Sequence, residues 1–143
     1  MSWAMLACRW IVGVLFLMAG VMKVADPAGF LRDVAGYRLV DGWPLVAAGF
    51  FLPYFEIVTG AALVLGRPYR GAALGAGAMS AIFLVALVQA WVRGLDISCG
   101  CFGGAGGTSD YPWWVTRDLA VMCACAVCWW DAGRRRPGKA VVT

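Results

Sequence analysis

Two cysteines one residue apart are the side chains in this sequence best suited to chemistry. Cys99 and Cys101 flank Gly100 in the polar stretch 96–110, which contains four further glycines. In an extended chain, Cα atoms two residues apart lie ~7 Å from each other, beyond the usual disulfide range of about 4.4–6.8 Å, so closing a bond requires a sharp bend at Gly100. A disulfide in so small a ring is strained, and strained exposed disulfides are oxidising and labile. The spacing therefore predicts thiol–disulfide exchange.

Two other interpretations of the cysteine pair stay open. Metal binding would need further ligands, but the sequence contains no histidine, and we predict no metal site. A structural role would require each thiol to bond a distant cysteine, such as Cys8, or another protein. The other cysteines, Cys123, Cys125 and Cys128, fall in an apolar helical segment, where packing alone explains them.

The composition indicates which elements position this pair. Hydrophobic residues make up 62% of the 143 residues and charged residues 14%, whereas soluble domains average roughly 45–50% and about 25%. Four apolar segments, at about 3–24, 43–65, 71–92 and 113–130, approach the roughly 20 residues that cross a bilayer. We predict an all-α membrane protein, a single four-transmembrane-helix bundle over residues 1–143. Apolar residues at helical spacing within 28–38 predict a short interfacial helix between the first two spans.

Basic residues predict the orientation in the membrane. An even number of spans places both termini on one side of the membrane. That side would carry seven basic residues, namely Arg9, Arg67, Arg70 and four in the tail, and the other side would carry five. We therefore expect cytoplasmic termini and an outward cysteine loop in a bacterial inner membrane. A nucleic-acid-binding protein would carry basic residues spread along one face of the molecule, with polar side chains between them. This sequence lacks that pattern, which argues against nucleic-acid binding.

Charged side chains within the spans need partners, because an unpaired charge in hydrocarbon costs several kcal/mol. Glu56 lies near the middle of the second span, and Arg9 is its predicted partner. This pair would fix the first two helices together. Alternatively, Glu56 would have a functional role and contact a proton or a quinone. Lys23 and Arg117 are expected at the outer boundary, where a cation would lower the pKa of a nearby thiol. They could equally anchor helix ends.

Several of these residues together match a known pattern. They are Arg9, Gly20-Val-Met-Lys23, Asp26-Pro27, the stretch 30–37, Leu52-Pro-Tyr-Phe-Glu56, Gly60, Cys99-Gly-Cys-Phe-Gly103 and Arg117-Asp118. Over nearly its whole length the chain resembles the MauE branch of the DoxX-like, redox-associated membrane proteins. The resemblance implies an accessory protein for disulfide formation or maturation of exported proteins. In the name-giving branch, which serves methylamine utilisation, the client is the small subunit of methylamine dehydrogenase.

The resemblance also implies roles and partners. Cys99 and Cys101 would be the reacting thiols, with Gly100, Phe102 and Gly103 completing the motif. The partner would be a separate periplasmic thioredoxin-like protein or the exported client. We expect no bound cofactor, although a membrane quinone is a candidate electron acceptor.

The rival functions are a non-catalytic assembly subunit of a larger membrane complex and a small multidrug-type transporter.

Overall fold

The computed structural model describes residues 3–67, 69–97 and 110–134, and the regular secondary structure of this part of the chain is α-helix throughout, joined by turns. Its helices are α1 (Trp3–Ala25), α2 (Pro27–Gly36), α3 (Trp43–Leu65), α4 (Tyr69–Val92) and α5 (Tyr111–Arg134). The all-α fold is confirmed. Each of the four long apolar segments forms one long helix, and the short helix expected within 28–38 is α2.

Three of the long helices are long and apolar enough to cross a membrane. They are α1, α3 and the part of α4 from Arg70 to Val92, each 23 residues long. Helix α5 has 24 residues, but Arg117 and Asp118 lower the hydropathy of its first half, and it is not among them. Length and composition therefore support three of the four predicted spans in the described part of the chain.

Local sequence signals set the helix ends. The carboxylate of Asp26 accepts a hydrogen bond from the backbone N–H of Gly29 at 2.9 Å, and Pro27 begins α2. This cap satisfies a donor that the first turn leaves without a partner. Helix α3 ends at Gly66, whose φ of 76° lies in the left-handed region that glycine adopts without strain. The chain then turns back into α4.

The long helices pack as two antiparallel pairs, α1 with α3 and α4 with α5, and these are the two most extensive helix contacts. Glycines allow the backbones of α1 and α3 to come close. Gly13 packs beside Gly60, and Gly20 packs beside Pro53 and Ile57. The two pairs meet along smaller contacts of α3 with α4 and of α1 with α5.

The close contact at Gly60 gives a first prediction. A Cβ at this position would lie 2.7 Å from the carbonyl oxygen of Gly13 and 2.8 Å from the backbone nitrogen of Leu17. Because backbone atoms cannot move aside cheaply, Gly60→Ala should lower the free energy of unfolding by about 1–3 kcal/mol. Gly71→Ala is the matched control, since a Cβ there meets nothing within 4 Å. Unfolding of the purified variants in detergent measures both, and an equal effect of the two would contradict the helix register.

Candidate functional site

The predicted reacting thiols, Cys99 and Cys101, lie outside the described residues, as do Gly100, Phe102 and Gly103. Their roles stay predictions. The structure does describe the residues on both sides of segment 98–109, after the end of α4 and at the start of α5.

The two flanks are held together. The Tyr111 hydroxyl donates a hydrogen bond to the carbonyl oxygen of Leu95. Ile97 is buried in a small apolar cluster with Tyr111 and Leu87, and the Trp91 ring stacks on Tyr111 with centroids 5.9 Å apart. The described residues on either side of segment 98–109 therefore lie close together at one end of the bundle.

Helix α2 lies near the same end. The Arg93 guanidinium, just after α4, donates to the carbonyl oxygens of Tyr37 and Arg38 at 3.5 and 3.4 Å. Tyr37 also belongs to the apolar cluster at the flanks. The end of α2 is thus fixed against the base of the predicted cysteine loop.

A buried ion pair lies deeper in the bundle. Lys23 Nζ of α1 is 2.5 Å from Glu56 Oε1 of α3, and each residue is only 3% exposed. Aromatic rings from two other helices face the ammonium, with their centroids 5.0 Å away for Phe30 of α2 and 4.8 Å for Phe83 of α4. A cation near ring faces gains electrostatic stabilisation. Lys23 therefore connects four helices.

The partner of Glu56 is Lys23, which corrects the predicted pair with Arg9. Side chains on a helix tilt toward its N-terminus. In the antiparallel α1–α3 pair, this tilt directs Lys23 back into the bundle toward Glu56 and directs Arg9 away from it. The Arg9 guanidinium instead lies beside Gly66, ten residues or about 15 Å along α3 from Glu56. The structure also places Lys23 inside the bundle rather than at its boundary.

A cavity of about 70 Å³ lies where the two helix pairs meet. Helices α1 and α3 contribute Phe16 and Glu56 to its lining, and α4 and α5 contribute Ser80, Phe83 and Arg117. Glu56 Oε2 is buried and accepts no hydrogen bond from the described residues. A volume of this size accommodates a few water-sized groups, since each needs at least about 10–15 Å³. The site can therefore receive a small hydrogen-bond donor.

Arg117, predicted to lie beside the reacting thiols, sits at the edge of this cavity. Its Nη2 is 3.0 Å from Asp118 Oδ1, and the two side chains are 23% and 14% exposed. The sequence alone did not mark Ser80 or Phe83 as site residues. Ser80 could have been noticed as a polar residue within an apolar span, whereas Phe83 carries no signal that separates it from lipid-facing aromatics.

Comparison with known proteins identifies the family. The family model described as "Methylamine utilisation protein MauE" matches residues 1–131. The chain belongs to the MauE family. The resemblance found in the sequence is thereby confirmed, and the matched region includes the cysteine motif, Lys23, Glu56 and Arg117. No curated protein and no solved structure matches the chain.

Proposed function

We propose that this MauE-family chain is a membrane accessory protein whose Cys99–Cys101 pair exchanges disulfides with exported proteins. The observation that carries this proposal is the Cys-Gly-Cys motif within the region matched to the family. Family membership suggests methylamine utilisation as the pathway served. The partner is a periplasmic thioredoxin-like protein or the client itself.

The flanks of the motif support an accessible position for the pair. Segment 98–109 follows Ile97 and is followed by the exposed Asp110 and then Tyr111, and both Ile97 and Tyr111 are buried. Both flanks are anchored at one end of the bundle. That end is where we place the exchange with a partner in the aqueous phase.

A four-span arrangement follows if α5 also crosses the membrane. Its length of 24 residues and its long packing against α4 support a crossing. The charges of Arg117 and Asp118 lie 3.0 Å apart and neutralise each other, which reduces the cost of placing them near hydrocarbon. With four crossings, the excess of basic residues places the termini in the cytoplasm and the cysteine pair outside.

The exchange conserves thiols and disulfides. A thiolate of the client attacks one sulfur of the Cys99–Cys101 disulfide and forms a mixed disulfide. A second client thiolate then attacks the client sulfur of that bond, so the client gains a disulfide and the pair becomes a dithiol. Oxidation of the dithiol by a thioredoxin-like partner in its disulfide form, or by a membrane quinone, restores the starting state.

A mixed-disulfide trap tests this function. In Cys99→Ser and Cys101→Ser single variants the remaining thiolate can attack the disulfide of an oxidised thioredoxin-like partner and release one partner thiol. The neighbouring thiol that would complete the exchange is missing, so the mixed disulfide with the partner should persist. Acid quenching, alkylation and non-reducing electrophoresis should show a reducible adduct in at least one variant. The Cys123→Ser variant is the control, because this exposed residue lies in α5. Absence of any adduct in both variants would contradict exchange through this pair.

A further inference from the structure

A second pair of thiols lies between the two helix pairs. Cys8 Sγ of α1 is 3.9 Å from Cys128 Sγ of α5, and both residues are in the thiol form. We propose that Cys8 and Cys128 form a second redox dithiol, which a small apolar disulfide compound oxidises to an interhelical disulfide. This proposal does not rest on the exchange function of the loop pair.

The geometry selects Cys128 over its neighbour Cys125. A disulfide has an S–S bond of about 2.05 Å, so the Cys8 and Cys128 sulfurs must approach by roughly 2 Å. They lie in the small α1–α5 contact between the two helix pairs, where a modest side-chain or helix adjustment disturbs less packing than it would within a pair. Cys125, one turn earlier, packs against Gly77 of α4.

This dithiol is separate from the loop pair. Cys128 lies seventeen residues along α5 from Tyr111, or about 26 Å at a rise of about 1.5 Å per residue. Cys8 lies near the start of α1. The thiols therefore belong to the end of the bundle opposite to the flanks of segment 98–109.

Exposure sets the order of the two chemical steps. Cys8 is partly exposed, whereas Cys128 is only 1% exposed. The Cys8 thiolate attacks one sulfur of the reagent, forms a mixed disulfide and releases the first reagent thiol. The Cys128 thiol loses its proton and attacks Cys8 Sγ, which releases the second. Two protein thiols are oxidised as one reagent disulfide is reduced to two thiols.

The test uses the full chain in detergent micelles and the aromatic disulfide 4,4′-dithiodipyridine as the probe. A Cys99→Ser/Cys101→Ser/Cys123→Ser background retains the three thiols in question. After oxidation and trypsin digestion, the expected product is a reducible cross-link between peptides 1–9 and 118–134, the pieces that hold Cys8 and Cys128. The intact protein should gain no reagent mass, and two reagent thiols should be released per chain.

Adding Cys125→Ser or Cys128→Ser to this background identifies the partner of Cys8. The cross-link should persist with Cys125→Ser and fall by about tenfold or more with Cys128→Ser, because ring closure depends on the neighbouring thiol. Cys128→Ala provides the same test if serine disturbs folding, and thermal unfolding verifies that each variant is folded. A stable reagent adduct without a cross-link, or a cross-link that survives loss of Cys128, would overturn the proposal.

Discussion

Replacing both loop cysteines, in Cys99→Ser/Cys101→Ser, should reduce the yield of correctly disulfide-bonded client by at least about 100-fold, since removing the disulfide that the client thiolate attacks removes the whole reaction path. The helical bundle should remain folded, because the described core forms without these residues. The measurement is the oxidation state of a periplasmic client in a strain that depends on this chain. Alkylation before electrophoresis separates reduced from oxidised client.

The control for this experiment is Cys123→Ser, which should preserve the yield because Cys123 is an exposed helix residue. Equal yields from the double variant and the unaltered protein would eliminate the exchange function. That result would favour the assembly subunit, in which the chain supports a larger complex by contact alone.

Breaking the buried ion pair should have the largest effect on stability. In Glu56→Ala, the Lys23 ammonium loses its counter-charge while it stays buried among Phe30 and Phe83. An uncompensated buried charge costs about 3–5 kcal/mol, so the free energy of unfolding should fall by about that amount. Unfolding in detergent measures it. Asp41→Asn is the control, because this carboxylate is exposed in the turn before α3 and its loss should change the free energy of unfolding by no more than about 0.5 kcal/mol.

The double variant Lys23→Met/Glu56→Leu separates pairing from simple packing. Removing both charges also removes their desolvation cost, so this variant should be more stable than Glu56→Ala. A double variant destabilised by as much as the sum of the single variants Glu56→Leu and Lys23→Met would show that the two residues act independently. That result would contradict the ion pair.

Much of the fold follows from local signals in the sequence. The second span was predicted as 43–65, and helix α3 has these bounds because Pro44 lies in its first turn and the left-handed Gly66 ends it. Helix α2 was expected from apolar residues at helical spacing, and the cap by Asp26 fixes its start. The fourth predicted segment forms helix α5. Arg117 and Asp118 lower the hydropathy of this helix, so that its crossing of the membrane stays a prediction.

Contacts between helices could not be predicted in the same way. Arg9 and Lys23 both lie on α1, and the sequence does not state which of them meets Glu56. The choice depends on the register that Gly13 and Gly60 impose and on the direction in which a long side chain extends. The 3.9 Å approach of Cys8 and Cys128 has the same origin, since the two residues are 120 positions apart in sequence.

The side of the membrane that Cys99 and Cys101 face can be measured with a membrane-impermeant maleimide on spheroplasts. One variant retains only Cys99 and Cys101, and a second carries Arg67→Cys as the sole cysteine, in the turn at the opposite end of the bundle. After mild reduction, we expect the loop pair to be labelled on intact spheroplasts and the residue at position 67 only after permeabilisation. Labelling in the reverse order would contradict exchange with exported proteins.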